Sequence, residues 1–525
     1  MDTSNSGIQV RAWTAVGAME IEAIFERLDQ RILESPPFRD EEVSALERNI
    51  ETARDESGLV SKAAFTELFF AKTNLPHGLT EAAGLLFDSL CYLSTAPLQP
   101  ASPLQNSLSL KELKRALTWC FPDMTRSIIT TTAGYRERSP ADHRRIIFQS
   151  LANSYPDSFP SFDRVSAMEL AAKNARDFPP EYRGGPIDDK DVNFDGDGDE
   201  LFHDVLDFLA STMPYVPPTY AEPHRDSFRD LAKKFHADAP LLSYLAVPRH
   251  RLEVWLSLLL ETKLRNRVEA CAVNAGLELQ GVAKSMATCF LQPEPVDAST
   301  WPTFNFAMSK LLPLIFESSY DLLRMIFFDQ PCRFDANTGY AEPGLILTLT
   351  RMVQLESFLF NSIDMTNLSH FKCGSSAAVL IESLNKIPEC ALFVVSGHTA
   401  DGGIYVFGAF IARPLEDGPR IQPCVHIENE WSFDERALLF QLSPTHDVFR
   451  GKAGAPAWCL TDDNVVFGDK EYGAALTLNG SLTEAWFTHR LIDADAKAVY
   501  GPTVHRGDFV TLLTVDGVEL WGECL

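Results

Sequence analysis

Residues 511–525 read TLLTVDGVELWGECL and decide the fold of the C-terminal part of the chain. An apolar run alternates up to Asp516-Gly517, and a second alternating run follows it and contains Trp521. Alternation with a period of two predicts β-strands, and an Asp-Gly pair between two such runs is typical of a tight hairpin turn. The sequence therefore predicts a closing hairpin at the end of a β-rich domain, with Trp521 packed into its core.

Two further apolar runs lie upstream, at 391–395 and 404–410, and a glycine-rich loop at 396–403 connects them. Two such runs around a short polar connection predict another hairpin. In the second run, Gly408 lies between aromatic residues, where a missing Cβ lets backbone or a bulky side chain approach closely.

Three more strand-like stretches follow in order, at 439–442, 457–468 and 472–478. Together with the runs at 391–410 and the terminal Val518-Glu519-Leu520-Trp521-Gly522, this order of elements resembles the TLDc domain. The resemblance implies a two-sheet β-sandwich flanked by helices. It brings no established catalytic reaction with it.

The resemblance extends upstream to Lys310–Phe328, which looks like the opening segment of the family. We therefore place the TLDc domain at 303–525, with an insertion at about 335–385 that adds a helix within 345–360. Between 477 and 488 the chain lacks most of the acidic run that the family carries, so no role of those carboxylates is transferred to it.

The composition of the 525-residue chain is that of a globular protein, with 45% hydrophobic and 10% aromatic residues. That length is enough for two to four domains. The formal net charge of −26 argues against nucleic acid as the main partner, because phosphate binding uses clustered Lys and Arg. Partners with basic surfaces are favoured, although acidity can also serve solubility alone.

The chain begins Met1-Asp2, so neither a secretory leader nor N-myristoylation is expected. The most apolar windows, around 240–260 and 344–365, are interrupted by charged residues, and no transmembrane segment is predicted. Ten cysteines without a Cys-x-x-Cys pair indicate reduced thiols of a cytoplasmic protein. Cys390 and Cys459 lie in apolar runs and are expected to be core thiols rather than nucleophiles.

Residues 1–155 are predicted to form a helical domain with two helix–loop–helix units that look like a degenerate pair of EF-hands. In the first loop Gly58 falls at position 6, but the first and twelfth positions hold Ala53 and Ala64, which cannot ligate calcium. The second unit has a Pro-rich loop, and its later helix opens with a capping box at Ser109. The predicted fold class is therefore α+β, an all-helical EF-hand-like N-terminal half followed by a TLDc two-sheet β-sandwich with flanking helices.

The middle region, 156–302, is predicted to be helical and to contain an acidic loop at 188–200. The run Asp191–Asp199 supplies several ligands of a calcium loop, whereas its twelfth position is Phe202. An exposed acidic loop before a helix is the favoured interpretation, and calcium binding is the alternative.

No complete catalytic, cofactor-binding or metal-binding motif is found in the sequence, and no such residues are predicted. Two neighbouring pairs, His398 with Asp401 and His446 with Asp447, could serve acid–base chemistry. Polar pairs in turns are more often surface residues. The sequence therefore predicts a protein that is not an enzyme.

A helical half followed by a split TLDc domain resembles the fungal restriction-of-telomere-capping TLDc proteins and their animal relatives in growth signalling. That resemblance implies a non-enzymatic cytosolic regulator that binds the vacuolar proton ATPase (V-ATPase), influences its assembly and takes part in oxidative stress resistance. Recruitment from the cytoplasm to the vacuolar membrane is expected, with partner contacts on the exposed loops 396–403 or 479–486. The alternatives are a signalling scaffold protein and a redox-protective enzyme that uses His398 or an exposed cysteine.

Overall fold

A computed structural model describes the chain between residues 3 and 523. The residues outside this description are 1–2, 99–105, 130–137, 139, 155–200, 215–222, 224, 237–241, 243–244, 268–275, 292–296, 331–339, 360–364, 366, 372–373, 388–389, 413–436, 452–457, 462–463, 492–497, 504–505 and 524–525. The acidic loop at 188–200, with its run Asp191–Asp199, therefore lies outside the described residues.

The chain forms two compact units, and each consists of three segments. The first contains Met1–Arg251, Ala298–Asn305 and Ser319–Cys332, and the second contains Leu252–Asp297, Phe306–Ser318 and Arg333–Leu525. This division differs from the domain boundaries predicted after residues 155 and 302.

Helices dominate the first unit, as predicted, and continue into the second. In the described residues they are α1 (Thr3–Ala15), α2 (Ile21–Glu34), α3 (Asp40–Ala53), α4 (Lys62–Thr73), α5 (Thr80–Thr95), α6 (Leu110–Cys120), α7 (Pro122–Ile128), α8 (Pro140–Leu151), α9 (Leu201–Ser211), α10 (Arg229–His236), α11 (Arg249–Arg267), α12 (Gly276–Thr288), α13 (Trp301–Phe306), α14 (Ile315–Phe328), α15 (Leu349–Leu355) and α16 (Ala377–Leu384). The described strands of the first unit are β1 (Leu59–Ser61), β2 (Ser107–Ser109), β3 (Asn153–Ser154), β4 (Leu245–Pro248) and β5 (Ala298–Thr300).

The antiparallel pair of β1 and β2 joins two helix–loop–helix units, α3–α4 and α5–α6. Val60 lies opposite Leu108, and both side chains are buried. Ser109 begins α6 with the predicted capping box, because Glu112 Oε2 accepts the Ser109 N–H at 2.8 Å and Ser109 Oγ accepts the Glu112 N–H at 3.4 Å. Val60 and Leu108 thus stabilise the pairing of β1 with β2, and Ser109 with Glu112 stabilises the start of α6.

The aromatic end of α14 packs within the first unit. The ring of Phe327 lies 6.1 Å from that of Phe65, and the ring of Phe328 lies 5.6 Å from that of Phe38. Asn49 Nδ2 donates to the Phe327 carbonyl oxygen at 3.1 Å. These contacts explain why the segment groups with the helical unit, since an apolar helical stripe indicates burial but does not identify what covers it.

The second unit contains an antiparallel sheet, which has ten strands in the described part of the chain. They are β6 (Leu368–Phe371), β7 (Cys390–His398), β8 (Ile404–Ala412), β9 (Ala437–Ser443), β10 (Asp447–Arg450), β11 (Cys459–Thr461), β12 (Asn464–Gly468), β13 (Gly473–Leu478), β14 (Glu484–Arg490) and β15 (Phe509–Glu523). The order is β10-β9-β8-β7-β15-β14-β13-β12-β11, and β6 also pairs with β15. The predicted α+β class is confirmed.

β15 is one continuous strand where the sequence predicted a hairpin. Residues 509–514 pair with β14, and residues 514–522 pair with β7. The register shifts between Val515 and Gly517, so Asp516 is the extra residue of a β-bulge. The hairpin prediction is wrong because an Asp-Gly pair suits a bulge as well as a turn, and only the neighbouring strands decide between them.

The two halves of the sheet, on either side of β15, face each other across a shared core. Phe393 of β7 stacks on Phe467 of β12 at 5.4 Å, and Phe407 of β8 stacks on Phe487 of β14 at 4.4 Å. A Cβ at Gly408 would lie 2.5 Å from the Phe393 carbonyl oxygen, which is the close approach that the sequence predicted. The expected sandwich therefore consists of two layers of one hydrogen-bonded sheet, joined along β15.

In its described residues, the segment predicted as an insertion, 335–385, contributes to the sheet and its core. β6 pairs with β15, and Leu380 and Leu384 of α16 belong to the core of the sandwich. The helix predicted within 345–360 is α15. It covers only Leu349–Leu355 and is therefore shorter than expected.

Candidate functional site

The two loops predicted as contact surfaces meet at β15. His398, at the end of β7, lies opposite Thr514. Glu484, at the start of β14, lies opposite the same Thr514 from the other side. We call this place the bulge site, and it comprises residues 396–403, 479–484 and 514–516.

The first loop of the bulge site is closed by its own hydrogen bonds. The Thr399 N–H donates to the Gly403 carbonyl oxygen at 2.9 Å, and the Thr399 hydroxyl donates to the Asp401 carboxylate. That hydroxyl, together with the Gly403 N–H, lowers the pKa of Asp401. Asp401 thus serves the shape of its loop.

His398 has a carboxylate partner, but it is not the neighbouring Asp401. Nδ1 of His398 lies 2.9 Å from Oδ1 of Asp516, which is 118 residues away, and both side chains are about half exposed. The acid–base pair of His398 with Asp401, considered in the sequence analysis as a possibility, therefore does not form. Only the bulge of β15 places Asp516 here, and a bulge leaves no clear local signal in the sequence.

The second loop of the bulge site is also held on several sides. Asn479 Oδ1 accepts the Thr483 N–H at 2.8 Å. The Gly480 carbonyl oxygen accepts the Ala377 N–H of α16, and the Thr483 carbonyl oxygen accepts the Val515 N–H, both at 2.9 Å. The loop therefore has a defined position beside β15, and side-chain amide and hydroxyl groups form its polar contacts.

His446 is a buried structural residue. Its Nε2–H donates to the Leu311 carbonyl oxygen at 3.0 Å, and its Nδ1 accepts from the Gln354 side-chain amide at 3.1 Å. Burial lowers the pKa of His446 to about 4, so the imidazole is neutral near pH 7. Both ring nitrogens are occupied, which leaves neither for proton transfer to a substrate.

Asp447 belongs to a different hydrogen-bond network from its neighbour His446. Its Oδ2 accepts from the Thr503 hydroxyl at 2.9 Å and lies 3.4 Å from Nη1 of Arg506. Its Oδ1 accepts the Val448 N–H at 2.9 Å. His446 and Asp447 are thus two separate buried anchors of the sandwich, and the favoured expectation that they are surface residues is wrong for both.

The two cysteines singled out in the sequence differ in exposure. Cys390 is buried in β7, as predicted. Cys459 on β11 is only half buried, and burial raises its pKa, which keeps the thiol protonated. A protonated thiol is a poor nucleophile, so the geometry favours a structural role for both.

Glu519, in the terminal motif of β15, holds the segment at 346–347 in place through hydrogen bonds. The sequence analysis did not identify this residue. The buried carboxylate of Glu519 accepts the backbone N–H groups of Ile346 and Leu347 at 2.8 and 2.9 Å. It also accepts the Nε1–H of Trp521 at 3.2 Å. Trp521 is 2% exposed, which confirms its predicted burial. The sequence does contain a sign of this role, because Glu519 is a charged residue between the apolar residues Val518 and Leu520.

The first helix–loop–helix loop uses its acidic residue internally. Asp55 Oδ1 accepts the N–H groups of Ser57 and Leu59 at 2.9 and 3.0 Å, and hydrogen bonds led by the Ser57 hydroxyl lower its pKa.

Within the described residues, no cluster of three or more His, Cys, Asp or Glu side chains is arranged to hold a metal ion. Among the described helices, none is both long and apolar enough to cross a membrane.

Comparisons with known proteins agree with this geometry. Residues 342–523 match the TLDc domain family. The chain is also similar to restriction of telomere capping protein 5 of Sordaria macrospora, with 23% identity over 425 residues that cover 71% of this chain and 65% of that protein. The match thus spans less than two thirds of the relative's length. The resemblance predicted from the strand order and the terminal motif is confirmed.

Proposed function

Since residues 342–523 of this chain are a TLDc domain, we propose that the protein is a regulator that binds partners and turns over no substrate. The partner in this proposal is the cytosolic sector of the V-ATPase, whose assembly the protein influences. A contribution to oxidative stress resistance would follow from control of the pump. The protein would act in the cytoplasm and at the vacuolar membrane.

The observation that carries the proposal is the convergence of two exposed loops on one strand, β15, which is paired on both sides. Thr514 of β15 lies between His398 of the first loop and Glu484 beside the second. Loops held by a fixed scaffold are common recognition surfaces. In contrast, the candidates for chemistry at His446 and Cys390 are buried and serve packing.

The helical half fits the proposal as a degenerate, EF-hand-like module. Its two helix–loop–helix units are joined by β1 and β2, and Ala53 and Ala64 stand at the terminal ligand positions. We propose that calcium does not regulate it at physiological concentration. Calorimetric titration of calcium into the full chain tests this, and micromolar binding that disappears in Asp191→Ala would contradict it.

The main test is capture of the purified pump sector by the full chain at low and raised salt. Two variants alter the bulge site and leave the core unchanged, Asp401→Ala in the first loop and Ser481→Ala with Thr483→Ala in the second. We expect capture by the wild type and weaker capture by the variants. Absence of capture by the folded wild type at every salt concentration would refute the pump as partner.

A second function is favoured by one observation, the half-exposed His398–Asp516 pair, which could transfer protons. Cells carrying His398→Ala distinguish chemistry at His398 from regulation by binding. If peroxide resistance is lost while capture of the pump sector is kept, chemistry at His398 is required and regulation by binding is not the explanation.

A further inference from the structure

Four neighbouring strands carry an outward-facing row of exposed residues at the bulge site. Ile404 of β8 lies opposite His398 of β7, His398 lies opposite Thr514 of β15, and Thr514 lies opposite Glu484 of β14. Directly opposite residues of antiparallel strands point to the same side of a sheet. Leu513, next to Thr514, belongs to the core, so the row points away from it.

A second row beside the first is apolar. Leu512 lies opposite Trp486, two residues along β15 and β14 from Thr514 and Glu484. Leu512 is 54% exposed and Val510, on the same side of β15, is 51% exposed. Single exposed apolar residues are common, whereas adjoining ones on one side of a sheet form a contiguous apolar surface that a partner can cover.

Carboxylates lie on one side of this apolar centre. Glu484 is in the first row, Asp516 is the bulge residue beyond Thr514, and Asp401 belongs to the loop that follows His398. Within the described part of the chain, none of the three forms an ion pair with Lys or Arg, and Asp516 contacts only the half-exposed His398 among basic residues. A partner with positive charge would therefore find Glu484 and Asp401 without a basic partner among the described residues, and Asp516 with a histidine only.

We propose that these two rows form a docking face, made of Ile404, His398, Thr514, Glu484, Trp486 and Leu512, for an amphipathic basic segment of a partner protein. An apolar side chain of that segment packs on Trp486 and Leu512, and adjacent Lys or Arg side chains reach Glu484 and Asp516. This inference rests on the proposed function and specifies its contact surface.

Charge decides against two other occupants of the docking face. A second copy of the chain related by a twofold axis would bring two faces of the same negative charge together. A membrane leaflet with anionic lipids would also repel them. A basic protein segment satisfies both the apolar centre and the acidic edge.

The test compares two leucines of similar exposure in the full chain. Leu512→Thr keeps a residue that favours strands, and Leu460→Thr is the matched control because Leu460 is 50% exposed on β11, outside the docking face. We expect Leu512→Thr to weaken affinity for the pump sector by at least about tenfold and Leu460→Thr to leave it within about twofold. Glu484→Lys should weaken it as well.

Each result has a distinct meaning. If the wild type does not bind the sector, the proposed function fails. If the wild type binds and Leu512→Thr and Glu484→Lys bind equally well, or if Leu460→Thr weakens binding as much, the docking face is refuted and the proposed function stands. Hydroxyl-radical footprinting of the wild-type complex checks the same point without a variant, since the side chains of Trp486 and Leu512 should be shielded by the partner, and unchanged labelling there would overturn the inference.

Discussion

Trp521 and Trp486 lie on neighbouring strands but in different surroundings. Trp521 is 2% exposed and lies 5.1 Å from the His370 ring, whereas Trp486 is only partly buried on the docking face. We expect Trp521→Ala to lower the free energy of unfolding by about 3–5 kcal/mol and Trp486→Ala to lower it clearly less. Urea denaturation measures both variants, and equal losses would contradict the different burial of the two rings.

His446 makes the stability of the second unit depend on pH. Burial lowers its pKa from 6.5 to about 4, so between these values the unfolded chain binds a proton that the folded chain excludes. The stability is therefore present above about pH 6.5 and is lost as the pH falls towards 4. We expect His446→Gln to reduce the slope of unfolding free energy against pH by up to about 1.4 kcal/mol per pH unit.

Denaturation of the wild type and His446→Gln at several values between about pH 7.5 and about pH 4.5 measures this slope. Burial also lowers the pKa of His143, to about 3, but that residue is the same in both proteins and cancels in the comparison. Parallel pH profiles would show that His446 does not carry the effect.

At the scale of the element, the bulge of β15 adds one residue, Asp516, that has no partner in β7. The residues before and after it therefore pair with β7 as they would in a regular strand, and Leu513 and Leu520 both face the core. Val515 lies opposite Gly397, and Gly517 lies opposite Ser396, the next residue of β7. Deletion of Asp516 would therefore restore a regular ladder and keep the following strand in register. The bulge is not needed for the register, and its effect on the surface is to place Asp516 beside His398.

Two deletions test this account of β15. We expect the chain without Asp516 to unfold cooperatively, as the wild type does, because Leu520 stays in the core. Deletion of Val518 should abolish the cooperative transition, since it would turn Glu519 towards the core and Leu520 away from it. Thermal melts followed by circular dichroism distinguish them, and loss of the transition in the Asp516 deletion would show that the bulge is required for folding.

The same strand shows what the sequence could and could not predict. Apolar runs predicted the strands at 391–395, 404–410 and 472–478, because burial on a sheet requires apolar residues whatever the pairing. The Asp-Gly pair at 516–517 could not distinguish a turn from a bulge, since that depends on strands more than a hundred residues away. Partners of single side chains, such as Asp516 for His398, depend on the same distant pairing.

At the scale of the whole molecule, strand order sufficed to predict the family, whereas the limits of the two units were not predictable. Phe327 and Phe328 had the expected apolar pattern, but their contacts lie with Phe65 and Phe38 near the other end of the chain. Apolar burial is non-directional, so a sequence pattern states how much surface is buried and not against which partner.

The net charge of −26 acts over the whole molecule, whereas Leu512 acts only at the contact. Charges steer encounter over a screening length of about 8 Å at physiological ionic strength, so raised salt should slow association of the full chain with the pump sector and change dissociation little. Leu512→Thr should do the reverse, with faster dissociation and nearly unchanged association. Biolayer interferometry at two salt concentrations measures both rates. A salt effect confined to dissociation would contradict steering by the net charge and would indicate that the carboxylates are buried in the contact itself.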